Sequence, residues 1–160
     1  MNWLDNGGSM KTNKSTYLGF KGYEVINMNM NKVTETDNSE ADRIGFMFKI
    51  IPNDKKILSK VNIIQGVKIS ASKNFPYEIE VVIKGNFELG NNSTYEEKVH
   101  LLMTNASAIL FPYLRATVSL LSSQLEFEKI LLPVINFSTI FQTTDTDTLL
   151  IESTQFEDFN

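Results

Sequence analysis

The sequence predicts an α+β fold in which a four-stranded antiparallel sheet, connected as a meander, carries a long helix and shorter helices on one face. Two observations lead to this expectation. Between residues 20 and 89, apolar residues recur with a period of two in four successive segments, as in half-buried strands. After the Gly-Asn-Asn-Ser turn at residues 90–93, the apolar period becomes helical. Because the links between the four segments are short, antiparallel hairpins are favoured over parallel strands joined by crossovers.

The first predicted strand, Phe20 to Val33, changes phase part-way along. Val25 ends one alternating apolar series and Ile26 begins another, which shifts the apolar side chains to the opposite parity. We interpret this change of phase as a bulge or a bend. The polar face that follows consists of Asn27, Asn29 and Asn31.

The next three strands are predicted from plain alternation. The second runs from Ile44 to Ile51, the third from Val61 to Ala71 and the fourth from Tyr77 to Leu89. Gly85 within the fourth strand indicates a bulge or a close approach of another backbone. The second strand has a wholly apolar face, which consists of Ile44, Phe46, Phe48 and Ile50.

Helices are predicted in the C-terminal half. A short helix from about Thr94 to Met103 is followed by a longer one, from Asn105 or Ser107 to about Leu125. Apolar residues cover well over half of the longer helix, more than one sheet face would bury, so we expect a second cover from another subunit. An extended segment up to Pro133 then leads to one helical turn that carries Phe137, Ile140 and Phe141.

The composition indicates one water-soluble domain. Of the 160 residues, 42% are hydrophobic and 21% are charged, and no apolar run approaches the roughly 20 residues that a membrane-spanning helix needs. No signal-peptide pattern is present, so we expect a cytoplasmic protein without membrane insertion. We divide the chain into a flexible leader at residues 1–17, the domain at 18–141 and an acidic tail at 142–160, whose acids are Asp145, Asp147, Glu152, Glu157 and Asp158.

Charge and residue counts exclude several classes of function. The net charge of -4 argues against a nucleic-acid partner. The chain has no cysteine and one histidine, His100, so thiol catalysis and mechanisms with two imidazoles are excluded. No phosphate-binding glycine loop or spaced acid cluster is present, and we expect no enzyme activity, no metal and no cofactor. An enzyme or small-ligand protein on an α+β scaffold is the alternative with least support.

Several motifs point to one family. Leu110-Phe111-Pro112-Tyr113 and Arg115 precede Pro133, Asn136-Phe137 and Phe141, and the fourth strand contains Glu80-Val81, Gly85 and Phe87. In residue type and spacing these motifs resemble the bacterial protein-export chaperone family SecB. The resemblance covers about Phe20 to Phe141.

The resemblance implies an assembly and an activity. Members of the family form a homotetramer, a dimer of dimers, and hold unfolded clients in long apolar grooves without ATP. The implied function is that of a holdase for unfolded preproteins in the Sec export pathway. By resemblance, the client-binding groove would comprise Ile44, Phe46, Phe48, Phe87, Phe137, Ile140 and Phe141.

The resemblance also implies contacts with other chains. Glu80 would lie on the outer face of the sheet, which meets the translocation motor SecA in export members. Subunit contacts would be made by Ile79, Val81, Ile83, Leu114, Val118 and Leu121.

Two alternatives stay open at this point. Aromatic residues at strand spacing, such as Phe46 and Phe48, are more often core than groove.

Export members tend to carry acids on the first strand, where this chain has asparagines, so docking of SecA there would lack its charge contribution. Some relatives instead guard the antitoxin of a toxin–antitoxin pair, and a scaffold dedicated to one such client is the alternative to general export.

Overall fold

The computed structural model describes residues 17–34, 43–127 and 129–142. Apart from Tyr17 and Gln142, the expected leader and acidic tail lie outside the described residues. The strands are β1 (Leu18–Lys32), β2 (Ile44–Pro52), β3 (Lys60–Ile69) and β4 (Tyr77–Leu89). The helices are α1 (Tyr95–Leu101), a π-helical segment (Leu102–Ala106), α2 (Ser107–Ser122) and α3 (Phe137–Ile140).

The described strands form one antiparallel sheet in the order β1-β4-β3-β2. This confirms the four-stranded antiparallel sheet, but the simple meander is wrong for β1, which pairs with β4 and not with β2. β1 and β4 are the longest strands, with 15 and 13 residues, and they pair along the whole of β4. The link at residues 33–43 is long enough to cross the roughly 14 Å of three interstrand spacings. The result is a Greek-key order.

The change of phase in β1 is a β-bulge. Its register against β4 shifts between Val25 and Asn27, as the sequence predicts, and again between Phe20 and Gly22. Gly22 has a φ of 125°, which glycine adopts without strain. The bulge at Ile26 turns this side chain to the outer face of the sheet, where it packs against Ile51, Ile64 and Val82.

The core lies between the sheet and α2. Gly85 of β4 allows the helix to come close, because a Cβ atom there would lie 2.8 Å from Leu110 Cδ1. The inner face of the sheet, which carries α2, and the facing side of the helix form one buried cluster that includes Ile79, Val81, Ile83, Leu114 and Val118.

These five residues were expected at a subunit interface. Each is at most 1% exposed in the single chain, where it packs in the chain's own core. Leu121, the sixth, is half-buried against the same core.

The second cover of α2 also comes in part from the same chain. Leu132 is 1% exposed, and Arg115 Nε donates a hydrogen bond to its carbonyl oxygen over 2.9 Å. The segment after the helix therefore covers a side of α2 for which we expected another subunit.

The helical region is one continuous run from Tyr95 to Ser122. It begins with a capping box, in which Thr94 Oγ1 accepts from the Glu97 N–H at 3.2 Å and the Glu97 carboxylate accepts from the Thr94 N–H at 2.9 Å. The π-helical turn joins the two predicted helices, and Ser107 Oγ donates to the Leu102 carbonyl there. Within the described residues, no helix has the length and apolarity that crossing a bilayer requires.

Candidate functional site: an apolar groove beside β2

A groove of about 420 Å³ opens between the inner face of β2 and the chain around α3. We call it the β2 groove. Strand pairing positions its first wall, because Phe46 and Phe48 lie opposite Val67 and Gln65 of β3 on the face that carries α2. The lining residues are Phe46, Met47, Phe48 and Lys49 of β2, Gln65 and Gly66 of β3, Phe111 and Leu114 of α2, and Ile135, Phe137, Ile140 and Phe141.

Five aromatic rings connect the walls of the groove. Ring centroids lie 6.2 Å apart for Phe46 and Phe111, and 5.5 Å apart for Phe111 and Phe137. The circuit continues from Phe137 to Phe141 at 5.9 Å and from Phe141 to Phe48 at 4.7 Å. These separations fall in the range of favourable aromatic pairs. Because Phe46 and Phe48 are neighbours on one face of β2, the contacts begin and end on the same strand.

The groove remains open to solvent in the single chain. Phe46 is 47% exposed and Ile140 49% exposed, while Phe48, Phe137 and Phe141 are half-buried. A residue that served only the core would be covered to a few per cent, as Ile50 is on the same face of β2. A continuous apolar surface of this kind indicates a binding site for an apolar ligand.

The structure brings together five of the seven residues expected to line a groove, namely Phe46, Phe48, Phe137, Ile140 and Phe141. Ile44 lies on the same face at the start of β2 and is 37% exposed, but it does not line the groove. Phe87 lies elsewhere. It is 2% exposed under α2, with its ring 5.1 Å from that of Phe20, because β4 is an inner strand.

Sequence reasoning missed several lining residues. Phe111 belongs to the Leu-Phe-Pro-Tyr motif, and its place in that motif was the available signal. Leu114 had been assigned to a subunit interface. For Gln65 the available signal was its place on the apolar face of β3, between Ile63 and Val67. Lys49 carried no signal.

Two polar side chains line the apolar groove. Lys49 is half-buried and is the one charged residue among the described lining residues. Gln65 is 2% exposed, and its Nε2 donates to the Ser107 carbonyl at the start of α2 over 3.0 Å. Within the described part of the chain, Gln65 Oε1 is buried and has no hydrogen-bond partner.

A second cavity of about 420 Å³ lies between α1 and α3 and shares Phe141 with the β2 groove. Tyr95, Glu96, His100 and Thr104 are among its lining residues. Thr104 Oγ1 donates to the His100 carbonyl oxygen at 2.8 Å, so this bond engages the backbone and not the imidazole. In the ranges that the structure describes, no three His, Cys, Asp or Glu side chains group closely enough to hold a metal ion.

Glu80 lies on the outer face of the sheet, opposite the β2 groove. Its Oε1 accepts a hydrogen bond from Asn27 Nδ2 at 2.7 Å, and Asn29 and Lys68 are its register partners on the two neighbouring strands. Glu80 therefore lies beside amides and a lysine. Farther along the same face, Lys84 pairs with Glu24.

A second ion pair, between β1 and β4, shifts the pKa values of its partners. Lys21 Nζ lies 2.9 Å from Glu88 Oε2. The hydrogen bond from Lys21 lowers the pKa of Glu88, and the same bond raises the pKa of Lys21. This pair ties the start of the edge strand β1 to the end of β4.

Residues 26–148 match the family model described as preprotein translocase subunit SecB. The match spans well over half of the chain and includes the second half of β1, the other three strands, and the helices α1, α2 and α3. The chain belongs to the SecB family. The SecB family places it among the chaperones of protein transport, which are not known as enzymes.

One solved structure shows the same fold. The chain is similar to the Mycobacterium tuberculosis SecB-like chaperone Rv1957, which was solved in complex with a ChAD peptide from the Rv1956 HigA1 antitoxin. The two are 13% identical with a TM-score of 0.58, over 74% of this chain and 87% of that one. A Streptococcus agalactiae protein of unknown function is 12% identical, with a TM-score of 0.43, over 75% of this chain and 99% of that one. No curated protein sequence matches the chain.

Proposed function

We propose that this SecB-family protein is an ATP-independent holdase that binds apolar segments of non-native polypeptides in the β2 groove. The observation that carries the proposal is the circuit of five aromatic rings, which stays accessible at Phe46 in the folded chain beside the exposed Ile140. An unfolded polypeptide exposes apolar side chains every few residues, and covering them removes apolar area from water at about 25 cal/mol per Å². No step of such binding requires nucleotide hydrolysis.

The proposed assembly is a homotetramer, a dimer of dimers. The inner face of β1 extends beyond α2 and leaves Tyr23, Val25 and Met28 between 42% and 56% exposed. Leu120 of α2 is 68% exposed. These residues replace the buried ones as the proposed subunit contacts, since self-association would cover them. Several grooves in one particle would hold a long client at several points, which raises the overall affinity.

The proposed setting is the cytoplasm, with unfolded preproteins as clients and SecA as the receiving partner. Glu80 is the proposed SecA-facing residue, and it is half-exposed on the outer face of the sheet. The neighbouring side chains of β1 on this face are amides, among them the Asn27 that binds Glu80. Electrostatic attraction to SecA would therefore depend on Glu80 and on Glu78, its acidic neighbour on β4, and less on β1.

A second candidate is a chaperone dedicated to one client, such as an antitoxin. The observation that favours it is the structural similarity to a SecB-like chaperone whose structure contains an antitoxin peptide. Both candidates use the same groove and differ only in the range of clients.

The test is light scattering from a chemically denatured model protein that is diluted into buffer without nucleotide, with and without this protein. Native mass is measured on the same sample by size-exclusion chromatography with multi-angle scattering. We expect a tetramer that suppresses aggregation at near-stoichiometric ratio. If the protein suppresses aggregation of unrelated clients and also binds SecA in a pull-down assay, the result supports a role in export. If the protein leaves the aggregation of every model client unchanged, the general holdase is contradicted. Tight binding of an antitoxin encoded by a neighbouring gene would then support a chaperone dedicated to one client.

A further inference from the structure

Gln65 is an unusual residue for the floor of an apolar groove. It lies on the inner face of β3, directly opposite Phe48 in the β2–β3 register, and is 2% exposed. Its amide orientation is determined, because Nε2 donates to the Ser107 carbonyl at 3.0 Å and a flipped amide would place two oxygens against each other. Among the described residues, Oε1 is then left as a buried acceptor without a partner.

Stability of the fold does not explain this glutamine. Ser107 is the first residue of α2, so its carbonyl already accepts the helical N–H four residues later. An unpaired buried acceptor lowers the free energy of unfolding, and native proteins leave very few of them. A methionine or leucine would fill the same volume without that cost. A polar group retained in an apolar binding site commonly serves to orient or select the ligand.

We propose that Gln65 Oε1 accepts a hydrogen bond from a backbone N–H of the polypeptide segment held in the β2 groove. This inference rests on the proposed function and adds the chemistry by which the groove selects its ligand. Every polypeptide offers backbone N–H groups whatever its sequence, whereas an acyl chain offers none. Phe48, the register partner of Gln65 on β2, is half-buried and lines the same groove.

The groove would therefore combine two kinds of recognition. The aromatic circuit takes apolar side chains of many shapes, and Gln65 adds one contact that depends on the backbone alone. Lys49, the other polar lining residue, can only donate and so cannot replace Gln65 as acceptor. The predicted consequence is a preference for polypeptide over lipid or detergent of equal apolarity.

The experiment compares the wild-type protein with Gln65→Met, which keeps the length of the side chain and removes the acceptor. The ligands are a labelled apolar peptide, a series of its derivatives each N-methylated at one residue, and a fluorescent fatty acid. We expect Gln65→Met to bind the parent peptide about tenfold more weakly, the loss of one hydrogen bond to a buried acceptor. Methylation at one position of the series should weaken binding to the wild type and leave binding to Gln65→Met unchanged.

Two further readouts separate ligand recognition from a structural role. The melting temperature of ligand-free Gln65→Met should equal or exceed that of the wild type, and its affinity for the fatty acid should not fall. The matched control is Gln124→Met, an exposed glutamine after α2. Three outcomes would each overturn this inference and leave the proposed function standing. They are equal peptide affinities of wild type and Gln65→Met, equal effects of methylation in both proteins, and a lower melting temperature of Gln65→Met with parallel loss of both ligands. If the wild type binds no peptide, the proposed function fails as well.

Discussion

The rings of Phe48 and Phe141 lie 4.7 Å apart, centroid to centroid, at a tilt of 48°. Phe48 belongs to the last strand in the sheet order, and Phe141 directly follows α3. The contact joins two segments that are far apart in the chain, and the β2 groove exists only where they meet. Its shape therefore depends on side chains from both segments.

Truncation of an exposed groove residue should weaken client binding more than it weakens the fold. Phe46→Ala removes a ring that is 47% exposed, so we expect a loss of at most about 1 kcal/mol in the free energy of unfolding. The same change removes one of five rings from the groove and should lower the affinity for an apolar peptide several-fold. Fluorescence anisotropy and urea denaturation measure the two effects. Ile57→Ala is the control, because Ile57 is 52% exposed in a loop away from the groove. Equal binding by both variants would count against the groove.

Gly85 should tolerate no side chain. In Gly85→Ala, the new Cβ would lie 2.8 Å from Leu110 Cδ1 and 2.9 Å from Phe87 Cε2, so these buried side chains would have to shift. We expect a loss of about 1–3 kcal/mol in the free energy of unfolding, as for other overpacked cores. Gly45→Ala is the matched control, since its nearest neighbour would be the Lys68 carbonyl at 3.9 Å. A similar urea midpoint for the two variants would show that α2 does not pack closely on β4.

The ion pair of Lys21 and Glu88 should make stability depend on pH in the acid range. Its hydrogen bond lowers the pKa of Glu88 from the ordinary value of 4.5. The stabilisation is therefore present above pH 4.5 and is lost as the pH falls through the lowered pKa. We expect Glu88→Gln to lose less stability than the wild type between about pH 5 and pH 3 in urea titrations. High salt should reduce the difference, because the pair is exposed. Identical pH profiles would show that the pair does not persist in solution.

A charge on the uncovered part of the inner face of β1 should disrupt assembly if this surface forms subunit contacts. Met28 is 56% exposed on that face, so Met28→Lys should leave the thermal stability of the monomer nearly unchanged. Size-exclusion chromatography with light scattering should show a smaller particle than the wild type. Ile57→Lys, at a similarly exposed site in a loop, serves as the control. A tetramer that survives Met28→Lys would place the interface elsewhere.

Local features of the fold were predictable because they depend on neighbouring residues. The period-two segments predicted the strands, and the change of phase at Ile26 predicted the bulge that places it on the outer face. The partner of β1 was not predictable in this way, since an alternating strand fits beside any other. The similar lengths of β1 and β4 and the long link before β2 allow this pairing but do not determine it.

The candidate site was predictable only in part. The apolar face of β2 and the aromatic residues around α3 were identified, and the structure brings Phe46, Phe48 and Phe141 together. Phe87 alternates on β4 as Phe46 and Phe48 do on β2, but α2 covers the inner face of β4 more fully than that of β2. Alternation shows which side chains share a face, whereas exposure depends on where the helix lies across the sheet.

The strand order has a consequence for synthesis on the ribosome. Leu18 at the start of β1 pairs with Leu89 at the end of β4. While the intervening residues are being made, β1 lacks its partner, and the hairpins of β2, β3 and β4 form from shorter-range contacts. In this chaperone β1 can join the sheet only after β4 has emerged from the ribosome. Until then the nascent chain exposes the apolar face of its own first strand.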